Sequence, residues 1–252
     1  MDFLKKWVLD VQEFVLLSGR AIANVFRRPL YVDDIIVQMD LIGVGSLPIV
    51  LMTGFFSGAV MALQMSRALA QYGQVERTGQ VVAITLVREL GPVLTALMVA
   101  GRNSSGMASE IGSMKVTEQI DAMRALGTDP IKKLVTPRVV ATATVLPLLT
   151  IIADFTGMIG GFVISYYLLN LTPLQYWTSV WQSLEYNDVG QGLIKPFMFA
   201  FAISLVGCFY GLRTTGGTQG VGRATTQAVV VASVLVFFLT FFITKIFVGS
   251  VT

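Results

Sequence analysis

The sequence predicts an all-α, polytopic membrane protein: five transmembrane helices, an N-terminal amphipathic interfacial helix, a polar amphipathic helix on the inner side and a short interfacial helix on the outer side. Three observations carry this. Hydrophobic residues make up 54% of the 252-residue chain against 13% charged, with a mean hydropathy of +0.71, a balance that no water-soluble domain of this size shows. Five apolar segments are each long enough to cross a bilayer, at about 41–66, 79–101, 139–169, 193–212 and 224–248. Finally, thirteen of the eighteen Lys and Arg residues fall before the first segment or in the second and fourth connections, which the positive-inside rule assigns to the cytoplasm. An odd number of spans then puts the N-terminus in the cytoplasm and the C-terminus on the far side.

Residues 1–28 read as the interfacial helix and 29–252 as a single membrane domain. Phe3, Leu4, Trp7, Val8, Val11, Phe14 and Val15 share one helical face, with Lys5, Lys6, Asp10, Gln12 and Glu13 elsewhere, the pattern of a helix lying in the headgroup region. Its longest uncharged run is too short to span, and Arg27, Arg28 and Pro29 end it. Beyond the third span, Thr172 and Pro173 are a good N-cap and first helical residue, and Tyr176, Trp177, Trp181 and Tyr186 suit the outer interface. Small residues four apart, at Gly54 and Gly58, Gly157 and Gly161, and Gly207 and Gly211, predict close helix packing. The stretch 214–226 is glycine-rich but lacks the spacing of a phosphate-binding loop, and is expected to be a flexible connection.

Chemistry is narrowed by what the chain lacks. With no His and one Cys, Cys208, His-based triads, disulfide frameworks and the usual zinc sites are ruled out, and no metal site is expected. The net charge of +3 is small and its basic residues sit beside membrane segments instead of forming a nucleic-acid patch. Arg88 and Glu89, however, lie inside the second apolar segment, where a charge near the bilayer centre costs about 2.5–3.5 kcal/mol on insertion scales. Adjacent helical residues point about 100° apart, so the two must look to other helices or to a ligand; a structural interhelical ion pair and a cavity-lining role both stand. Pro92, four residues on from Arg88, frees the Arg88 carbonyl and is expected to kink the helix. Asp154 lies midway along the third segment, either as a protonated acid bonded to a neighbouring Thr or as a functional carboxylate.

The second cytoplasmic connection is the one hydrophilic piece large enough to dock a partner. From about 108 to 126 it mixes Ile111, Met114, Ile120, Met123 and Leu126 with Glu110, Lys115, Glu118, Asp121 and Arg124, before Gly127 and Pro130 break the helix. A short helix of this kind suits insertion into a groove, although a solvated surface helix has the same pattern.

LVRELGPVLTALMVAGR (86–102), SEIGSMKVTEQIDAMRALGTDP (109–130), TPR (136–138), LPLLT (146–150) and GRATTQAVV (222–230) together resemble the MlaE/YrbE permease family, over nearly the whole chain from about Arg20 onward. Asn103 and Ser104 depart from the small residues usual there, and Asp154 matches no motif of the family. The resemblance implies the permease subunit of an ABC transporter that moves phospholipids between the inner and outer membranes and so maintains outer-membrane lipid asymmetry. The chain would sit in the bacterial inner membrane, with its C-terminus periplasmic. Implied partners are a second copy, two ATPase subunits of the MlaF type that bind ATP in place of this chain, a periplasmic MCE-domain protein of the MlaD type and a STAS-domain protein of the MlaB type. The permease itself would then hold no cofactor and would not be an enzyme. Rival classes are an intramembrane lipid-modifying enzyme, for which Asp154 with Glu89 is the only conceivable dyad, and a passive channel or scaffold.

On this reading Glu110, Met114, Glu118, Asp121 and Arg124 lie on one coupling helix, about 108–126, seated in the ATPase groove. The first and last spans are expected at the dimer interface. The lipid cavity is expected between the copies, lined by Met61, Gln64, Met65, Leu69, Tyr72, Arg88 and Glu89. Flexible Met side chains suit variable acyl chains, and Arg88, about 13 Å from the outer end of its helix, is placed to meet a phosphate. Glu89 is expected to orient Arg88 or to hold another helix through Gln64 or Tyr72.

Overall fold

The structure, a computed structural model, describes residues 2–27, 29 and 31–249, and within these the side chains of residues 2–4, 6, 7, 248 and 249 are outside the description. The parts of the sequence reading that rest on the Phe3, Leu4, Lys6 and Trp7 side chains and on Arg28 therefore lie outside the described residues. Every regular element among the described residues is helical. In order these are α1 (Asp2–Val25), α2 (Val32–Ala70), α3 (Thr78–Thr85), α4 (Gly91–Val99), α5 (Ser105–Val116), α6 (Gln119–Ala125), α7 (Thr136–Leu169), α8 (Pro173–Ser183), α9 (Tyr186–Leu212) and α10 (Gly217–Gly249).

Five helical stretches are long and apolar enough to cross a membrane: Val32–Ala70, Val75–Val116, Ile131–Leu169, Tyr186–Leu212 and Gly217–Phe247. Each contains the matching apolar segment of the sequence almost entirely, and most run further. Hydropathy marks only the part in hydrocarbon, whereas backbone hydrogen bonding continues the helix into the polar flanks. The stretch 214–226 departs from expectation for this reason. Only residues 213–216 separate α9 from α10, the chain turning with Gly216 and the first residue of α10, Gly217, at φ +87° and +66°, and the helix then continues through the remaining glycines and threonines.

The second span holds together in an unexpected way. Leu86–Leu90 and Ala100–Ser104 are π-helical turns that link α3 to α4 and α4 to α5, and a third, Ile131–Val135, leads into α7. Each such turn accommodates an extra residue without ending the helix, so the polar run GRNSS, which reads as a stop, is carried through to Val116.

The coupling segment, expected as one helix over about 108–126, is two. Thr117 closes α5 by donating its hydroxyl back to the Ser113 carbonyl at 2.8 Å, and Glu118 takes a left-handed conformation at φ +59° before α6 begins. Glu110 and Met114 accordingly sit on α5, whereas Asp121 and Arg124 sit on α6, so the five residues do not share one helix.

The chain packs as two compact units. One comprises residues 1–42, 99–145 and 199–236. In it α1 is anchored by Phe14 edge-on to Phe209 (5.5 Å between ring centres) and by Arg213, which pairs with Asp10 at 2.7 Å. Val8, Val11 and Val15 of the expected apolar face remain exposed, as a helix resting in a headgroup layer requires. Gly207 and Gly211 of α9 meet Ser104 and Ile111, with only the missing side chains making room.

The other unit comprises residues 43–98, 146–198 and 237–252. Here Gly54 and Gly58 of α2 lie directly on α7: a Cβ on Gly58 would stand 1.8 Å from the Gly157 carbonyl oxygen. Buried against this crossing is a core of Ala62, Val82, Ala83, Leu86, Met158, Tyr176 and Val180. Helix α8 starts as the sequence predicts. The Thr172 hydroxyl accepts from the Gln175 amide and the Gln175 side chain accepts from the Thr172 amide, a reciprocal cap whose second half the sequence reading omits. Tyr176 then seals the helix into the unit, its hydroxyl donating to the Met158 carbonyl at 2.9 Å, and this burial pushes its phenol pKa well up.

Candidate functional site

Arg88 and Glu89 sit on the first π-helical turn. Pro92 cannot donate to the Arg88 carbonyl, and the Gly91 amide reaches back to Leu86 instead. The freed carbonyl does not stay empty: Lys195 of α9, completely buried, donates to it at 2.6 Å and at the same time to Glu89 Oε1 at 2.6 Å. Thr244 of α10 donates to the same carboxylate oxygen at 3.0 Å. The freed carbonyl and the buried lysine thus solve one another's problem. A backbone acceptor and a carboxylate together satisfy an ammonium that would otherwise be prohibitively costly to bury.

Arg88 is held differently. Its Nε donates to Asp188 at 2.5 Å, and the Asp188 side chain is 1% exposed whereas the Arg88 side chain is 43% exposed. Asp188 is the third residue of α9, and its second oxygen accepts from the Glu185 amide at 3.1 Å, which caps that helix start. One edge of the guanidinium is therefore fixed by a rigid helix end. Among the described residues its terminal nitrogens have no hydrogen-bond partner, so the outer edge of the fork is presented to whatever enters. The two pairs carry no net charge, which keeps the cost of holding four charges at membrane depth low.

Glu89 does not bond Gln64 or Tyr72, the partners expected from the sequence; Lys195 and Thr244 take that place. Of the other cavity residues, Met61 packs partly buried against the Val82 and Leu86 core, Met65 and Leu69 are half-buried, and Gln64 and Tyr72 are exposed. Sequence reasoning misses Asp188, which it places in the outer connection, and Lys195, two residues inside the fourth apolar segment. A signal existed: a lone lysine in one span and a lone glutamate in another are of opposite sign. Asp154, for its part, bonds no threonine, since Thr150 and Thr156 both donate to carbonyls of their own helix.

At the other candidate site, Glu110 of α5 pairs with Arg138 of α7 at 2.6 Å, and the Arg138 side chain is 4% exposed. Asp121 of α6 accepts from Lys115 at 2.8 Å and from Arg124 at 3.2 Å. The Lys115 ammonium holds the Asp121 carboxyl below its usual range. Ile120 pins α6 down while Glu118, Asp121, Arg124 and Leu126 face outward, a small rigid knob with a charged rim. No group of three or more potential metal-ligating side chains occurs among the described residues.

Comparison with known proteins identifies the family. Residues 35–246 match the family described as permease MlaE. A probable ABC transporter permease protein of Rickettsia felis is 45% identical over 242 residues, covering 96% of this chain and 93% of the relative. A probable ABC transporter permease protein of Synechocystis is 40% identical over 240 residues, covering 95% and 91%. The intermembrane phospholipid transport system permease protein MlaE of Haemophilus influenzae is 36% identical over 258 residues, covering 99% of both chains. Relatives of this kind are transport subunits whose ATPase activity lies in a partner, and with its five apolar helices this multi-pass membrane protein belongs to the MlaE permease family.

Proposed function

We propose that this permease moves phospholipids between the inner and outer membranes of a bacterial envelope, with Arg88 as the contact for the lipid phosphate. The observation that carries this reading is the half-exposed Arg88 side chain, set within the second apolar helix and clamped at one edge by the buried Asp188 carboxylate. A purely structural pair would be expected to bury both partners. The open edge of an arginine fork is matched to two phosphate oxygens. Glu89, tied to Lys195, holds the backbone turn that presents Arg88. Met61, Gln64, Met65, Leu69 and Tyr72 flank the acyl chains. The phospholipid named in the Haemophilus influenzae relative supports the same substrate class.

The working unit on this reading is a homodimer in the inner membrane, N-terminus cytoplasmic and C-terminus periplasmic, with no cofactor of its own. Exposed apolar side chains on α2 (Ile36, Val44, Met52) and α10 (Val234, Phe238, Phe241) favour those helices for the contact between copies. Two MlaF-type ATPases supply ATP hydrolysis, an MlaD-type protein exchanges lipid with the permease on the periplasmic side and an MlaB-type protein completes the complex.

Removing Arg88 alone strands the buried Asp188, so the deciding variant changes both. Arg88→Ala/Asp188→Asn is expected to assemble normally and to lose most of its co-purified phospholipid, measured as lipid phosphorus per complex alongside size-exclusion behaviour. Undiminished lipid and transport in an intact variant refutes the phosphate contact.

For coupling, α6 and the outward Glu118 form the knob that enters the ATPase groove, while the Glu110–Arg138 pair ties α5 to α7 behind it. Glu118→Lys is expected to leave the permease folded and to uncouple ATP hydrolysis from lipid transport. Glu118→Gly, which relieves the left-handed strain of about 1 kcal/mol but also removes the carboxylate, should raise thermal stability slightly and weaken coupling less than the charge-reversed lysine variant does. Wild-type ATPase binding and transport rate in the lysine variant would exclude this knob as the coupling element.

A further inference from the structure

We propose that the apolar cavity beside Asp154 binds a neutral membrane alcohol or phenol, at a site separate from the four-charge cluster. Asp154 is 8% exposed and its Oδ1 has no hydrogen-bond partner. The carboxyl fits there because residue 91 is glycine: a Cβ at Gly91 would stand 1.7 Å from Asp154 Oδ1. Oδ1 is sealed against Gly91, so the carboxyl meets the cavity through Oδ2, and with the neighbouring threonines bonded to their own helix carbonyls no described side chain donates to either oxygen. A polar atom left without a partner in an apolar lining costs about 1–3 kcal/mol, so a ligand bearing one donor gains by supplying it to Oδ2.

The cavity has a volume of about 180 Å³, and Asp154 lines it together with Val87, Phe155, Met158, Trp181, Leu184 and Leu193. A dry cavity of about 150 Å³ accepts a benzene ring. Phe155, Trp181 and Leu193 at its mouth are themselves exposed, so entry is through apolar side chains that face outward from the unit. The lining selects against charged lipid headgroups. Asp154 is its one ionisable side chain, and a phosphate brought beside that carboxyl would meet no matching set of donors. An alkylammonium headgroup carries its phosphate with it and fails for the same reason. A hydroxyl on an apolar body presents one donor to one acceptor and leaves the remainder of the ligand to ring and aliphatic contacts with Phe155 and Trp181.

The full-length permease complex in detergent, titrated with 4-bromophenol or with its methyl ether 4-bromoanisole, tests this through heavy-atom quenching of tryptophan fluorescence. The two probes share ring and bromine, and only the phenol donates. The phenol is expected to bind about tenfold more tightly than the ether, the equivalent of one well-made hydrogen bond. Trp181→Phe should remove the saturable quenching, and Asp154→Leu should make the probes equivalent. Equal binding of both probes by the wild-type complex overturns the proposal even where Asp154→Leu fails to fold, as does a phenol preference that survives in a folded Asp154→Leu. Displacement of the phenol by 1,2-dioctanoylglycerol identifies the natural ligand as a glyceride alcohol and displacement by a short-chain quinol identifies a quinol; displacement by neither refutes a membrane ligand. The Arg88→Ala/Asp188→Asn variant should keep the phenol preference, which separates failure of this site from failure of the phosphate contact.

Discussion

Gly58→Ala is expected to cost this permease about 3 kcal/mol and to abolish a monodisperse folded species in detergent. The added methyl would sit 1.8 Å from the Gly157 oxygen and 2.4 Å from its carbonyl carbon. Both atoms are backbone, so no rotamer change relieves the overlap and α2 must move off α7. Overpacking typically costs about 1–3 kcal/mol, and an obstacle made of main chain places this change at the upper end. The neighbouring contacts cannot yield either. A Cβ on Gly54 would be 2.6 Å from the Ala153 oxygen and one on Gly160 2.0 Å from the Phe55 oxygen, so the whole crossing depends on bare backbone meeting bare backbone. Gly106→Ala provides the control. It lies on α5 with nothing within 4 Å of a new Cβ, and it should be neutral or stabilise by about 0.5–1 kcal/mol. Thermal denaturation with size-exclusion profiles checks both; a Gly58→Ala protein that melts like the wild type would show that the helices do not approach this closely.

Lys195→Met is expected to have the next largest effect, a loss of about 2–3 kcal/mol, because it takes the donor from a backbone carbonyl and the cation from the Glu89 carboxylate at once, the latter partly relieved by the 37% exposure of the Glu89 side chain. Glu89 would keep only the Thr244 hydroxyl at 3.0 Å, and the Arg88 carbonyl would lose the donor that replaces the one Pro92 lacks. Ordinary hydrogen bonds between membrane helices average only about 0.6 kcal/mol, so a loss several times larger identifies an uncompensated charge. Neutralising both partners in Lys195→Met/Glu89→Gln should therefore recover most of the stability lost in the single variant. Lys195→Arg should not substitute, since a planar fork cannot reach two acceptors that both lie 2.6 Å from a single ammonium. Chemical denaturation of the four proteins in a double-mutant cycle measures the coupling, and additive single effects would exclude the pair.

The amino-acid sequence by itself determined the features that depend on near neighbours along the chain. Apolar runs marked the five spans, and spacing of four marked Gly54 and Gly58 as contact residues. Thr172 and Pro173 set the start of α8, and Pro92 told that the Arg88 carbonyl would be unsatisfied. Each follows from helix geometry, side-chain transfer energy or a missing N–H, all read within a few residues. Tertiary structure alone decided who answers those groups. Arg88 meets Asp188 across 100 residues and Glu89 meets Lys195 across 106, and nothing local distinguishes these from other charges of the right sign. The π-helical turns that carry the second span past its polar run, and the left-handed Glu118 that divides the coupling segment, likewise escape hydropathy, because one inserted or reversed residue changes no average. Asp154 shows the same limit: its position was plain, but that its carboxyl packs on bare backbone instead of meeting a threonine depended on Gly91, which lies 63 positions away in the chain and directly against it in the fold.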